Sequence, residues 1–158
     1  MLRKYYTYFR ILSIDVVIGA MLTAKLIGFA LGVELDVYAV SSLGLVVWLV
    51  YTLDHLLDAN EITDQAVSLR HRYHQENSKQ LLIVWFLILI FTSFLVLEKL
   101  SFYTIQLGLI ASVLVVSHLV LVKLLGKKLS LVVQKEFGVA LIFSIGVTIP
   151  ALSQCQGI

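Results

Sequence analysis

Two long stretches of this sequence, residues 81–97 and 100–122, contain no aspartate, glutamate, lysine or arginine. A bilayer core about 30 Å thick is crossed by about 20 apolar residues in a helix, and both stretches are close to that length. Inside lipid every backbone N–H and C=O group must be paired within the protein, and among open-ended elements only a helix achieves this. The two stretches therefore predict transmembrane helices.

Three further apolar runs of similar length lie at 11–33, 37–57 and 137–152. Charged residues bound the first two on both sides, while the last begins after Glu136 and closes near Pro150. The first follows a basic opening segment, as in a signal peptide, but it is too long and carries Asp15 and Lys25, so we interpret it as a retained span. The composition agrees, because 59% hydrophobic residues with only 14% charged ones are atypical of a soluble domain. We predict an all-α, multi-pass transmembrane helical bundle of about five spans, with residues 1–158 as a single domain.

The lysines and arginines predict how this bundle is oriented. Nearly all of them lie in three segments that five spans would place on one side of the membrane: Arg3, Lys4 and Arg10; Arg70, Arg72 and Lys79; Lys123, Lys127, Lys128 and Lys135. The positive-inside rule assigns that side, with the N-terminus and both longer loops, to the cytoplasm. We expect an integral protein of a bacterial inner membrane with its active face in the cytoplasm. A net charge of +2, spread over these segments, argues against nucleic acid as a partner.

A pair of acids ends the second span, in the segment WLVYTLDHLLD at residues 48–58. Asp54 and Asp58 are four residues apart, so on a helix their carboxylates lie on one face. Two carboxylates at the lipid boundary repel each other and cost free energy to desolvate, unless a nearby cation compensates their charge. Mg²⁺ is the natural candidate, since one or two carboxylates together with water and phosphate oxygens hold it. The alternative is that the helix simply ends here and its acids are solvated.

The loop that follows carries a dense basic group, made of Arg70, His71, Arg72 and His74. Guanidinium groups pair with phosphate through two parallel hydrogen bonds, so arginines close to metal-binding acids suggest a diphosphate site. The alternative is that cytoplasmic arginines are present for topology alone. Zinc binding by His55, His71 and His74 is a weaker interpretation, because their spacing fits no standard zinc cluster.

Asp15 lies in the first span, just after Arg10, and is expected at a depth similar to that of Asp54. An acid at that depth must face protein or water. It is either the partner of a nearby polar group or part of the wall of the same polar cavity. The second alternative predicts that the first and second spans are neighbours.

The chain resembles the N-terminal half of the UbiA-type intramembrane prenyltransferases, an all-helical family. Their second span ends in the motif N-D-x-x-D-x-x-x-D, and Asp54 and Asp58 match its last two acids, while Arg70 matches an arginine that follows it. The fifth span also resembles the family's fifth helix in its leading Lys135, its glycine Gly146 and its proline Pro150.

The sequence departs from the family in two respects. Val50 and Tyr51 stand where the motif has asparagine and aspartate. The family's second aspartate-rich motif lies on a later helix, which this chain does not reach.

The resemblance implies a transferase that moves an isoprenoid group from a prenyl diphosphate to an acceptor with Mg²⁺ as cofactor. Asp54 and Asp58 would be the catalytic metal ligands, and Arg70, Lys135 and Asp15 would contribute to substrate binding. Membrane lipid and prenyl diphosphate are the implied partners, together with a complementary half-chain or a second copy, because this chain alone would be incomplete. The competing interpretation is a non-catalytic multi-pass membrane protein, either an assembly partner or a small-molecule carrier.

Overall fold

The computed structural model describes residues 2–61, 68–125 and 132–155, and every regular element within them is helical. Seven helices occur in these ranges. They are α1 (Leu2–Ile11), α2 (Ile14–Ala30), α3 (Val37–Glu61), α4 (Leu69–Glu76), α5 (Ser78–Lys99), α6 (Phe102–Leu125) and α7 (Val132–Cys155). The predicted all-α class is confirmed.

Four of these helices, α3, α5, α6 and α7, are long and apolar enough to cross a membrane. A fifth span results if α1 and α2, which meet at a bend of 69°, are counted together. The predicted apolar runs thus correspond to helices, which confirms a bundle of four to five membrane-spanning elements. Two elements were not predicted: the basic opening forms the separate helix α1, and the loop over 59–80 contains α4.

The spanning helices pack in the spatial order α5, α3, α2, α7 and α6, with α3 also reaching α7. Helices α3 and α5 run antiparallel, and Trp85, near the start of α5, donates its indole N–H to the carbonyl of Leu49 in the later half of α3 at 2.8 Å. Helices α2 and α7 run in the same direction, because residues near the starts of both line one cleft. The start of α2, the end of α3 and the start of α5 therefore lie together, next to α1 and α4. We call this region the elbow end of the bundle, and the break at Ser13 between α1 and α2 the elbow.

Small residues allow close contacts around α2. Ala20, Ala24 and Gly28, spaced four apart on one face of α2, are buried. On α3, Gly44 is also buried, and a Cβ added there would lie 2.8 Å from the sulfur of Met21. Acyl chains are as apolar as the helix surfaces, so burying apolar area does not drive helices together in lipid. Close van der Waals contact at small residues does.

Helices α5 and α6 have the opposite character. They are joined by residues 100–101 but make few contacts with each other, so they diverge from this turn. Large apolar side chains along both are exposed, among them Phe86 and Ile90 of α5 and Ile110 and Val113 of α6. Such surfaces suit contact with lipid chains.

Candidate functional site

The predicted acid pair lies near the end of α3, at the elbow end. Because α3 is continuous from Val37 to Glu61, Asp54 and Asp58 lie one turn apart on one helical face, as predicted. Both residues are half-buried. Their metal-binding role stays a prediction.

The elbow is built around Ser13, the only non-glycine residue with positive φ in the described part of the chain, at φ 56°. A serine preceding a helix usually accepts a hydrogen bond from a first-turn N–H group, but Ser13 makes no such bond. Its side chain is buried, and its Oγ lies 3.2 Å from Nε2 of His55 in α3. The left-handed backbone thus directs the hydroxyl to a neighbouring helix.

Arg70 of α4 connects three helices at this point. Its Nη2 donates to the backbone carbonyl of Arg10 in the last turn of α1 at 3.0 Å, and its Nη1 lies 3.4 Å from Nε2 of His55. Arginine can only donate, so Nε2 of His55 accepts, and its single lone pair is shared between the Arg70 guanidinium and the Ser13 hydroxyl. Carbonyl groups in the last turn of a helix have no N–H partner within it, and the Arg70 guanidinium supplies a donor to the carbonyl of Arg10.

Three imidazoles gather beside this arginine. The ring centre of His55 is 5.3 Å from that of His74 and 6.3 Å from that of His71. Nδ1 of His74 donates to the carbonyl of Arg70 at 2.8 Å, and the side chain is almost fully buried. The described residues include no group of three or more His, Cys, Asp or Glu side chains arranged to hold a metal ion.

The pKa of His74 is lowered, mainly by burial, which penalises the charged ring. The hydrogen bond to the Arg70 carbonyl opposes this shift, while the charges of Arg70 and His71 add to it. The neutral ring is therefore the form that this packing favours near pH 7.

The remaining predicted residues have different outcomes. Asp15 is half-buried in the first turn of α2, where a carboxylate interacts favourably with the helix dipole. Its Oδ1 is buried and has no hydrogen-bond partner among the described residues. Helices α2 and α3 pack together as predicted, while a cavity shared by Asp15 and Asp54 stays a prediction.

Lys135 lies in the first turn of α7, and its side chain lies outside the described part of the chain.

Two clefts open near these residues. One, of about 340 Å³, lies between α1 and α4 and includes Tyr8, Ile11 and Tyr73 in its lining. The other, of about 330 Å³, lies between α2, α3 and α7 and is lined by Val16, Tyr51, Val139, Ala140, Phe143 and Ser144. Tyr51 precedes Asp54 by three residues on α3, so the acid pair lies on the helical face that carries Tyr51 into this mostly apolar cleft.

Ser13 and Tyr51 were not among the predicted site residues. Nothing in the sequence marks Ser13, since its importance comes from a backbone conformation and a contact 42 residues away. Tyr51 could have been suspected, because it replaces a motif aspartate and an aromatic ring suits the wall of an apolar cleft. Comparison with known proteins gives no match for this chain at a significant level, whether with family models, with curated proteins or with solved structures.

Proposed function

We propose that this chain contributes one half of a UbiA-like prenyltransferase site, with Asp54 and Asp58 as ligands of Mg²⁺. The supporting observation is that two half-buried aspartates, one turn apart on α3, share a helical face with Tyr51, which lines the cleft toward α7. This donor set suits Mg²⁺, which needs only one or two protein carboxylates and keeps water or phosphate oxygens as its other ligands.

The chemistry follows from the charges and the cleft. When bound, Mg²⁺ would neutralise charge that develops on the leaving diphosphate. The isoprenoid tail would occupy the cleft between α2, α3 and α7, where burial contributes about 0.8 kcal/mol for each CH₂ group. In this proposal the elbow end faces the cytoplasm of a bacterial cell, in the inner membrane, and supplies diphosphate access.

Arg70 would bind the diphosphate from α4, with Lys135 and Asp15 at the edge of the same site. Two nitrogens of Arg70 make the contacts with Arg10 and His55, and a guanidinium group has five N–H donors, so donors remain for a phosphate oxygen. No second aspartate-rich motif occurs in this sequence. A complementary chain, or another copy of this one, would supply the second acid pair.

A second candidate function is a non-catalytic membrane protein, acting as an assembly partner or a small-molecule carrier. The contacts of Arg70 favour it, because they bind a backbone carbonyl of α1 and a buried histidine and so stabilise the fold directly. In this alternative the polar residues of the elbow end are structural.

Binding of geranyl diphosphate to the purified chain in detergent, with and without Mg²⁺, tests the proposal. We expect weak Mg²⁺-dependent binding that Asp54→Asn and Asp58→Asn each reduce more than about tenfold, a loss equal to 1.4 kcal/mol. Glu98→Gln is the matched control, since Glu98 is an exposed acid near the end of α5, far from the elbow. Binding that ignores Mg²⁺ and both aspartate variants would favour the non-catalytic candidate.

Diphosphate release, measured with and without an aromatic acceptor, tests the incompleteness of the site. Removing an interaction made chiefly in the transition state lowers the chemical rate as well as affinity, so half a site should lose far more rate than binding. We expect no sustained turnover by this chain alone. Robust turnover that Asp54→Asn abolishes would show that the chain is already a complete enzyme.

A further inference from the structure

The short helix α1 does not continue the direction of α2. The two axes meet at 69°, so if α2 runs along the membrane normal, α1 lies within about 20° of the membrane plane. The bend is held by the left-handed backbone of Ser13 and by the hydrogen bond from Arg70 to the carbonyl of Arg10. Helix α1 therefore has a fixed direction relative to the bundle.

The two faces of α1 have different surroundings. Thr7, Tyr8 and Ile11 line the cleft beside α4, where the Tyr8 ring lies 5.8 Å from the ring of Tyr73. The opposite face carries Tyr5, Tyr6 and Phe9, which are spaced three and four residues apart. Tyr5 and Tyr6 are the most exposed of the four rings of α1, at 68% and 62%, and Phe9 at 37% is about as exposed as Tyr8 at 40%.

The composition of α1 indicates what covers this aromatic face. Tyrosine combines an apolar ring with a polar tip and is enriched at the boundary between lipid headgroups and acyl chains. The first 14 residues also contain Arg3, Lys4 and Arg10 and no acid. Basic residues on such helices are attracted to anionic lipid headgroups, by about 1 kcal/mol each near the surface.

We propose that α1 is an interfacial helix whose Tyr5, Tyr6 and Phe9 face binds the headgroup boundary of the lipid bilayer. Amphipathic helices bind membranes through one buried apolar face together with electrostatic attraction to anionic lipids. The opposite face lies toward α4, which it contacts through Tyr8 and Tyr73, so the bilayer and α4 hold α1 between them. This assignment does not rest on the proposed prenyl transfer, since Tyr5, Tyr6 and Phe9 have no part in it; Arg70 is shared only through its hydrogen bond to the end of α1.

Site-directed spin labelling of the full chain tests this inference. Cys155 is the only cysteine, so Cys155→Ser gives a background in which single cysteines can be labelled. The test positions are Tyr6→Cys and Phe9→Cys on the aromatic face, and the matched control is Thr7→Cys on the face toward α4. Each labelled chain is placed in nanodiscs of phosphatidylcholine and phosphatidylglycerol, and thermal unfolding by circular dichroism confirms that it has folded.

Collisions of each label with oxygen, which enters lipid, and with a water-soluble nickel chelate give its surroundings. We expect labels at 6 and 9 to collide with oxygen several-fold more often than with nickel, and the label at 7 to lack this preference. Frequent nickel collisions at both 6 and 9 would place the aromatic face in water and overturn the proposal. Protection from both reagents, or broadening by a second nearby label, would show that protein covers this face and would also overturn it.

Discussion

The elbow end and the α5–α6 side of this molecule differ in the way their side chains are buried. At the elbow end, Ser13, His55 and His74 are buried and take part in hydrogen bonds. In the apolar span of α6, an 18-residue stretch contains no buried side chain. Yet α3, the least apolar of the four long spans, is the most buried of them, and α5 and α6 are the most apolar. In lipid, small and polar residues therefore decide which helices pack together, because apolar area gains little from leaving acyl chains for protein.

The largest expected effect is a difference in stability between two glycine substitutions, one in each of these regions. Gly44→Leu should destabilise the protein by about 3 kcal/mol, since a side chain there meets Met21 and Val17 across the α2–α3 contact. Gly108→Leu in α6 is the control, because a Cβ added there meets no atom within 4 Å. We expect it to be neutral or stabilising, as leucine favours helices more than glycine does. Unfolding by SDS titration in mixed micelles measures both, and equal losses would contradict the difference between the regions.

The next effect compares two arginines of α4. Arg70→Met removes the donor that joins α1, α3 and α4, and we expect a loss of about 2 kcal/mol, typical of hydrogen bonds from charged groups. Arg72→Met removes only an exposed ion pair with Glu76 on the same helix and should cost less than about 0.5 kcal/mol. Thermal unfolding in detergent compares the two variants. Similar melting temperatures for both would mean that Arg70 does not hold the elbow.

The elbow end should also make stability depend on pH. The pKa of His74 is lower in the folded chain than its ordinary value of 6.5, so the unfolded chain binds the proton more readily. Above about pH 6.5 the ring is neutral in both states, and His74 leaves the free energy of unfolding unchanged with pH. As pH falls through 6.5 toward the folded pKa, the unfolded chain takes up the proton first, and the free energy of unfolding decreases by at most about 1.4 kcal/mol per pH unit. His74→Gln should flatten the dependence of unfolding free energy on pH between 7.5 and 5.5. An unchanged slope would assign the dependence to other groups.

The smallest expected effect separates the backbone of Ser13 from its hydroxyl. Ser13→Gly and Ser13→Ala both remove the contact with His55, but only glycine adopts a φ of 56° without strain. The glycine variant should be more stable than the alanine variant by about 0.5–1 kcal/mol, after allowing for the greater freedom of glycine in the unfolded chain. Chemical denaturation of the two proteins side by side gives this difference. A more stable alanine variant would show that the elbow can relax to a different backbone.

The sequence by itself determined the helical class, the spanning elements and the one-turn spacing of Asp54 and Asp58. These properties are local: the length of an apolar run against bilayer thickness decides whether a segment spans, and helical periodicity decides which side chains share a face. A buried face on α2 could also have been predicted, because Ala20, Ala24 and Gly28 form a pattern of small residues four apart.

Tertiary structure alone decided the elbow. The left-handed φ of Ser13, the separation of α1 from α2, and the meeting of Arg70 with His55 and Arg10 depend on contacts between residues 15 to 60 positions apart. A hydropathy pattern has no information about such pairs, because a buried polar group is stabilised only by the particular donor or acceptor that the fold brings to it. For the same reason the sequence identified the basic residues of the loop as a group, but not that Arg70 would bind the end of α1.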